Sequence, residues 1–410
     1  MYEWSEEHQM IRAAMKDFIA KEIIPIRDEL EHGDTPPYEV LRKLYTTFGI
    51  GEQAEAGFRK RIEHEKAVAA GTATDADKPI RHGGGDAGFT LIPTIELCRQ
   101  CPGMITAMGV SSGLTASAIN GKGTIAQKER WALDLLTLEK IGAWAITEPG
   151  AGSDAFGAMK ATARRDGNGG YILNGSKTYI TNGPYADTIV FICRLEEDGV
   201  EGADRKIVSF ILDSGMEGLV QSAPFKKMGI GSSPTGELFL NDVKVGPERL
   251  MGESEDGYGR SGAKSTFNTE RSGTAAMALG LVERALELCV DYAKTRVQFG
   301  EPIGNYQLIQ LKLAKMEVAR LNLENLVFRY IESTAAGKSM TFAEASAMKL
   351  YAAQAAMEVA TEAVQVFGGA GYMRESRVEQ LMRDANILQI YAGTDEMQII
   401  AIAKDLLGRA

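Results

Sequence analysis

A chain of 410 residues, 44% apolar and 24% charged, holds enough apolar material for large cores and suggests one multi-part unit or two to three domains. Its formal charge of −10 excludes a general nucleic-acid surface, which would need clustered Lys and Arg, so an anionic ligand has to be met locally. No run of about 18 uninterrupted apolar residues marks a membrane span, and the opening MYEWSEEHQM is acidic where a targeting peptide would be basic or apolar, which points to a cytoplasmic address.

From residue 1 to about 140 the pattern is mostly helical. In SEEHQMIRAAMKDFIAKEIIPI, Ser5 offers a cap, Met10, Ile11, Met15 and Phe18 fall near one face, and Pro25 is expected to close the helix. Pro36-Pro37 marks a break. The charge-rich stretch 53–81 reads as an insertion, its Gly/Thr/Asp part a surface loop. Cys98 and Cys101 form a C-x-x-C pair, but no second pair follows, and none of His8, His32, His64 and His82 stands in metal-ligand spacing with it. Two small residues in a buried helix are expected there, and no metal site.

Between about 141 and 252 the period shortens toward two. ATARRDGNGGYILNGSKTYIT reads as two alternating stretches around a Gly/Asn/Asp turn, and IVFICR, KIVSFILD and GELFLNDVKV are further strands. Crossover helices have no room between them, so an antiparallel β domain is expected. From 253 to 410 the helical period returns. Leu281, Ala285, Leu288, Cys289 and Tyr292 mark one stripe, and Leu308, Leu311, Ala314, Val318, Leu321 and Phe328 another. Helices this long pack as a bundle, and the width of their apolar faces suggests an oligomer.

Gly150, Gly152 and Gly157 in AWAITEPGAGSDAFG do not have the G-x-G-x-x-G spacing, and no βαβ unit surrounds them, so a dinucleotide-binding fold is excluded. Glycines still let a backbone approach a flat or phosphorylated ligand, with the Thr147 and Ser153 hydroxyls alongside. This stretch, NGSKTYITNGP, KKMGIGSSPTGELFLNDVKVGPERLMG, TRVQFGEPIG and AVQVFGGAGYMRESRVEQLMRDANILQIYAGTDEMQ together resemble the acyl-CoA dehydrogenase family in order and spacing. The likeness spans almost the whole chain apart from 53–81. It implies a mainly helical fold with a central antiparallel β domain: an N-terminal helical domain, a β-barrel-like domain and a C-terminal four-helix bundle.

The same resemblance implies FAD, an acyl-CoA substrate, electron-transferring flavoprotein as partner, and a homotetramer or dimer that shares its FAD sites between subunits. Ile146 and Thr147 look like residues that meet the flavin ring, Ser153 like a serine near the bound nucleotides, and Tyr179 with Thr181 like the residues packed beside the ring. Arg296, Gln298 and Phe299, and then Gln365 and Gly369, resemble residues that hold the FAD of a neighbouring subunit. Thr394 and Glu396 match positions on the adenosine side, and Tyr391 and Gly393 match substrate contacts.

Ala392 stands where many members of the family carry the glutamate that removes the substrate α-proton. A subset that includes isovaleryl-CoA and long-chain enzymes places this base on another helix, before an arginine, in a segment similar to STFNTERSG. Here that glutamate is Glu270, and Arg271 matches an arginine approaching the CoA phosphates, where a permanently charged fork suits phosphate. The bland alternative is a glutamate that merely opens a helix and favours its dipole. At Ala392 the backbone N–H is implied to hold the thioester carbonyl, a role independent of the side chain. Asp86 in HGGGDAG replaces an expected apolar residue and is read as a solvated loop aspartate, with a second acid beside a modified acyl group as the other possibility. An acyl-CoA oxidase or flavin monooxygenase on the same scaffold, and a catalytically silent FAD- or CoA-binding homologue, are the competing functions.

Overall fold

The computed structural model describes residues 3–74, 86–200, 202–256 and 260–408, with backbone alone at 203, 260–270 and 272. The N-terminal helices are α1 (Glu6–Phe18), α2 (Arg27–His32), α3 (Tyr38–Thr47), α4 (Ile50–Ala69), α5 (Gly88–Cys98) and α6 (Pro102–Met108), then the short α7 (Ala116–Lys122), α8 (Ile125–Gln127) and α9 (Leu133–Leu136). Ser5 caps α1 in a reciprocal box with His8. Met15 and Phe18 are buried as the spacing requires, but Met10 is 71% exposed and His8 takes the buried position on that face. Pro25 does not stop the helical run: a π turn at Ile19–Ile23 and a 3₁₀ turn at Ile24–Ile26 carry the chain into α2. Such local rewinding absorbs the missing N–H and the ring clash. The 53–81 stretch begins inside α4, whose Phe58 and Ile62 are buried against Trp131 and Leu135, and turns at Gly71; residues 75–85 lie outside the described residues.

The strands are β1 (Gly142–Ala145), β2 (Thr162–Arg165), β3 (Tyr171–Thr181), β4 (Thr188–Leu195), β5 (Ile207–Asp213), β6 (Leu219–Gln221) and β7 (Thr235–Val245). They form one sheet in the order β1-β4-β2-β3-β7-β6, with β5 also on β4. Every residue of β4, TIVFICRL, is buried, as a β-branched run between neighbours demands. The wholly antiparallel sheet expected from the sequence is corrected here. β4 runs parallel to both β1 and β2, so the sheet is mixed. No crossover helix is needed, because the β2–β3 hairpin itself occupies the connection between β1 and β4.

The C-terminal part consists of α10 (Arg260–Thr295), the hairpin β8 (Val297–Gln298) and β9 (Glu301–Pro302), α11 (Gln307–Ala335), α12 (Phe342–Phe367), α13 (Arg377–Asn386) and α14 (Asp395–Leu406). Thr341 and Glu344 form a capping box on α12. One core unites α1, α3, α5 and α6 with the long helices, through Ile92, Ile95, Leu281, Ala285, Ala352, Ala356 and Leu381 among others. Arg12 of α1 bridges Glu96 of α5 and Glu283 of α10, and Arg99 also bonds Glu283 at 2.7 Å. Thus α10, which carries Glu270 and Arg271, is fixed against the N-terminal helices by packing and by a partly buried ion-pair network.

Candidate active site

β1 ends at Ala145 and the chain then passes through Ile146, Thr147 and a tight Glu148–Ala151 bridge. Lys177, wholly buried on β3, donates from Nζ to the Ile146 carbonyl and to Glu148 Oε1, both at 2.9 Å. Glu148 also accepts from Lys160 N (2.7 Å) and Ala161 N (3.0 Å). Thr178 N holds the Thr147 carbonyl at 2.9 Å. Neither the N–H nor the hydroxyl of half-buried Thr147 has a hydrogen-bond partner among the described residues. Over Gly150 and Gly152 an added Cβ would meet nothing within 4 Å, so the turn leaves a bare backbone surface, and Ser153 is exposed beside it.

A bulge in β3 turns an aromatic residue out of the sheet. Lys177 pairs with Leu238 and Ile180 with Gly236, so β3 has one residue more than β7 across that interval. Tyr179 takes up the difference with φ +57° and stands 70% exposed, its ring 6.0 Å from that of Phe225. A bulge turns a side chain out of the pleat, and a left-handed tyrosine is an outlier that packing has to sustain. Half-buried Thr181 lies two residues on. Buried Asn182 then ties the strand end to the helices, donating at 2.9 Å to the carbonyls of Ala107 and Gly142 and accepting from Tyr38 Oη at 3.0 Å.

The second group is the turn Tyr391-Ala392-Gly393-Thr394 before α14. Ala392 has φ +53° and Gly393 φ +87°. Their carbonyls face inward. Arg271 Nε reaches Ala392 O at 3.3 Å, Gln398 Nε2 reaches Ala392 O at 3.2 Å and Gly393 O at 2.6 Å, and Lys349 Nζ reaches Gly393 O at 2.9 Å. Lys349 and Gln398 are fully buried and Arg271 is 6% exposed. With three donors on the carbonyl side, the Ala392 N–H is left without a partner among the described residues. A free, rigidly held N–H is what stabilisation of a developing oxyanion requires. Tyr391 Oη rests 3.4 Å from Met277 Sδ on α10.

Arg271 donates to Ser346 Oγ at 2.9 Å, stacks 4.1 Å over the Phe342 ring and braces the turn. The side chain of Glu270 lies outside the described residues, and its backbone lies within α10, ten residues past Arg260. The helix-opening alternative for Glu270 is therefore corrected. Asp86 stands in the loop before α5, part exposed, and is paired. Its Oδ2 lies 3.0 Å from His8 Nε2, and its Oδ1 accepts from Gly88 N at 2.9 Å at the start of α5. Cys98 and Cys101 are buried free thiols that burial pushes well above the usual range.

The loop 226–234 ties the end of β3 to α13. Pro234 O accepts from Asn182 N at 2.7 Å, while Asp384 Oδ1 of α13 accepts from Ile230 N at 2.5 Å. A third set stands apart, on the surface. Arg296, Gln298 and Phe299, with Phe299 97% exposed at φ +52°, sit on the β8–β9 hairpin. Gln365 and Gly369 are exposed at the end of α12. Stacking of Tyr292 on Phe367, 4.1 Å between ring centroids, brings hairpin and helix end together. Thr394 caps α14, and burial-free Glu396 has its carboxyl lowered by its own backbone N–H and by the Thr394 hydroxyl. Lys177, Glu148, Asn182, Lys349 and Gln398 were not singled out from sequence. Lys349 alone had a visible signal, a lysine within an otherwise small and apolar stripe of α12.

Residues 143–243 match the family model for the acyl-CoA dehydrogenase middle domain, and residues 257–407 that for its C-terminal domain. A short-chain specific acyl-CoA dehydrogenase of Megasphaera elsdenii is 41% identical over 95% of each chain. A 3-(aryl)acrylate reductase of Clostridium sporogenes is 35% identical over 98% of this chain and 99% of its own. The solved structure of butyryl-CoA dehydrogenase from Megasphaera elsdenii superposes with a TM-score of 0.82 at 35% identity, covering 99% of this chain and 100% of that one.

Proposed function

Because this chain belongs to the acyl-CoA dehydrogenase family, we propose that it is an FAD-dependent enzyme that desaturates a short-chain acyl-CoA thioester to the trans-2-enoyl-CoA, with Glu270 as the base. The observation that carries the reading is the Ala392 N–H, without a partner among the described residues, in a left-handed turn whose carbonyls are tied down by Arg271, Lys349 and Gln398. That donor faces the charge that grows on the thioester oxygen as the α-proton leaves, and it needs no side chain at 392. The missing glutamate at 392 thus leaves the oxyanion site intact and moves only the base. Glu270, next to Arg271 on α10, is one residue from the brace of that turn.

FAD, when bound, supplies the hydride acceptor. The open backbone over Gly150 and Gly152, the unpartnered Thr147 donors and the outturned Tyr179 fit a flat ring and its phosphates. The exposed Arg296, Gln298, Phe299, Gln365 and Gly369 are the surface through which one subunit would serve the FAD of another, in a homotetramer or dimer. Electrons would pass to electron-transferring flavoprotein. A short acyl chain is supported by the names of the Megasphaera relatives. A second reading, the same hydrogen transfer run toward reduction of a 3-arylacrylate, is supported by the Clostridium relative.

The test is anaerobic titration of Glu270→Gln with butyryl-CoA. The flavin stays bound and yellow, and bleaching by substrate is lost; near-normal bleaching would assign the proton transfer to another group.

A further inference from the structure

Lys177 and Glu148 form a charged pair that shape alone does not require, since well-packed apolar residues of similar volume often hold a core as well as a buried ion pair does. Lys177 is 0% exposed and Glu148 6%. Burial presses the Lys177 ammonium toward its neutral form, and Glu148 opposes that. The two charges are not equivalent in position. The ammonium sits on the Ile146 carbonyl, whereas the carboxylate is turned back toward Lys160 N and Ala161 N.

We propose that this pair is an electrostatic positioning device for the flavin edge: Lys177 fixes and polarises the Ile146–Thr147 peptide, and Glu148 fixes Lys177, together setting how readily the bound cofactor takes up electrons. The inference rests on the functional reading above, in which Ile146 and Thr147 meet the ring. The described residues hold no cis peptide, so the Thr147 N–H points opposite to the carbonyl that Lys177 holds, and it is the N–H that lacks a partner among the described residues. A cation on a carbonyl oxygen draws electron density through the amide and strengthens its N–H as a donor, more so in a low-dielectric interior. The Thr178 N bond to Thr147 O clamps the following peptide, so the donor is fixed on both sides. Reduction adds electron density to a ring held there. The positive charge held on the Ile146 carbonyl favours it, and the negative charge turned toward Lys160 N and Ala161 N disfavours it.

The experiment compares holoenzyme carrying Lys177→Met or Glu148→Gln with the parent, following FAD content by absorbance and the reduced-to-oxidised ratio against a reference dye. Lys177→Met is expected to make reduction harder and Glu148→Gln to make it easier, each by about tenfold in that ratio, about 30 mV for a two-electron couple. Opposite signs are the signature, because a merely structural role would loosen FAD in both variants without shifting the ratio in opposite senses. Shifts of the same sign, or none, with FAD still bound would overturn the proposal. Should Lys177→Met not fold, near-isosteric Glu148→Gln decides alone, and an unchanged or harder reduction overturns it. Parent protein that binds FAD and is bleached by butyryl-CoA while the variants show no opposed shifts would sink this inference and leave the functional reading standing; parent protein that takes up no FAD would sink both.

Discussion

At Ala392 the backbone does the work and the side chains around it serve the backbone. Lys349 has no solvent exposure and spends its charge on a carbonyl and on Asp395 Oδ1 at 3.3 Å. Replacing it with Met takes away one of the two side-chain donors to the Gly393 carbonyl, leaving Gln398 alone there, and loosens the 392–394 backbone. A displacement of about 1 Å at a reacting group costs about a hundredfold in rate. Lys349→Met is therefore expected to lower kcat for butyryl-CoA by about two orders of magnitude while FAD absorbance is retained, which stopped-flow flavin bleaching reads directly. Asp384 is the other residue whose chemistry depends on burial. Desolvation first, and then Glu31, push its carboxyl up to about 7 from an ordinary 3.8. In the unfolded chain it ionises near the ordinary value, so between about 4 and 7 the folded form binds the extra proton, and stability from this group falls as pH rises through that window. Thermal unfolding at pH 5 and pH 8 checks the sign. The loss between the two should be smaller in Asp384→Asn than in the parent.

At the scale of elements, the site depends on departures from regular geometry. The β3 bulge turns Tyr179 out, and the left-handed turn at 392–393 directs its carbonyls inward and leaves the Ala392 N–H without a partner among the described residues. The loop 226–234, tied to the end of β3 and to α13, is seated so closely that Gly231 has no room for a side chain: an added Cβ would lie 2.0 Å from the Glu31 carbonyl oxygen. Ser232 Oγ donates to Glu31 Oε1 at 2.6 Å beside it. Gly231→Ala is expected to cost about 1–3 kcal/mol through forced backbone movement. Chemical denaturation measures that cost, and an unchanged midpoint would mean that the loop has a second seat. Because the loop joins Asn182 to Asp384, the same variant should also weaken FAD retention.

Across the whole molecule, α11 turns Met316, Leu323, Val327 and Ile331 into the bundle and leaves Leu308, Leu311, Val318 and Leu321 outside, Leu308 at 75% exposure. An apolar face of that length on a chain of net charge −10 needs a cover. The residues proposed to serve a neighbour's FAD, on the β8–β9 hairpin and at the end of α12, are exposed on the same part of the chain. Leu311→Asp is expected to shift the protein to a smaller species in analytical ultracentrifugation and to release FAD with it. Loss of FAD without a change of mass would separate the two.

The sequence by itself determined the order of helices, sheet and bundle, because hydrophobic period is a local property that reads out as 3.6 or 2 regardless of partners. It also carried the motif set that marks the family, including a glycine-rich turn unfit for a dinucleotide fold and an alanine where a base is often found. What only the tertiary structure decided is where long polar side chains end. That Arg271 braces a turn shows only when Ala392 and Ser346, 121 and 75 residues away, are brought beside it. Asp86 reads as a loop acid until His8 closes on it. Lys177 and Lys349, not singled out from sequence, are each left by burial with a carboxylate and a backbone carbonyl to bond. Strand direction was lost for the same reason: β4 takes two parallel neighbours through pairings set by distant register. A charged group in low dielectric must find its partner wherever the fold supplies one, and that partner is fixed by three-dimensional closure rather than by spacing along the chain.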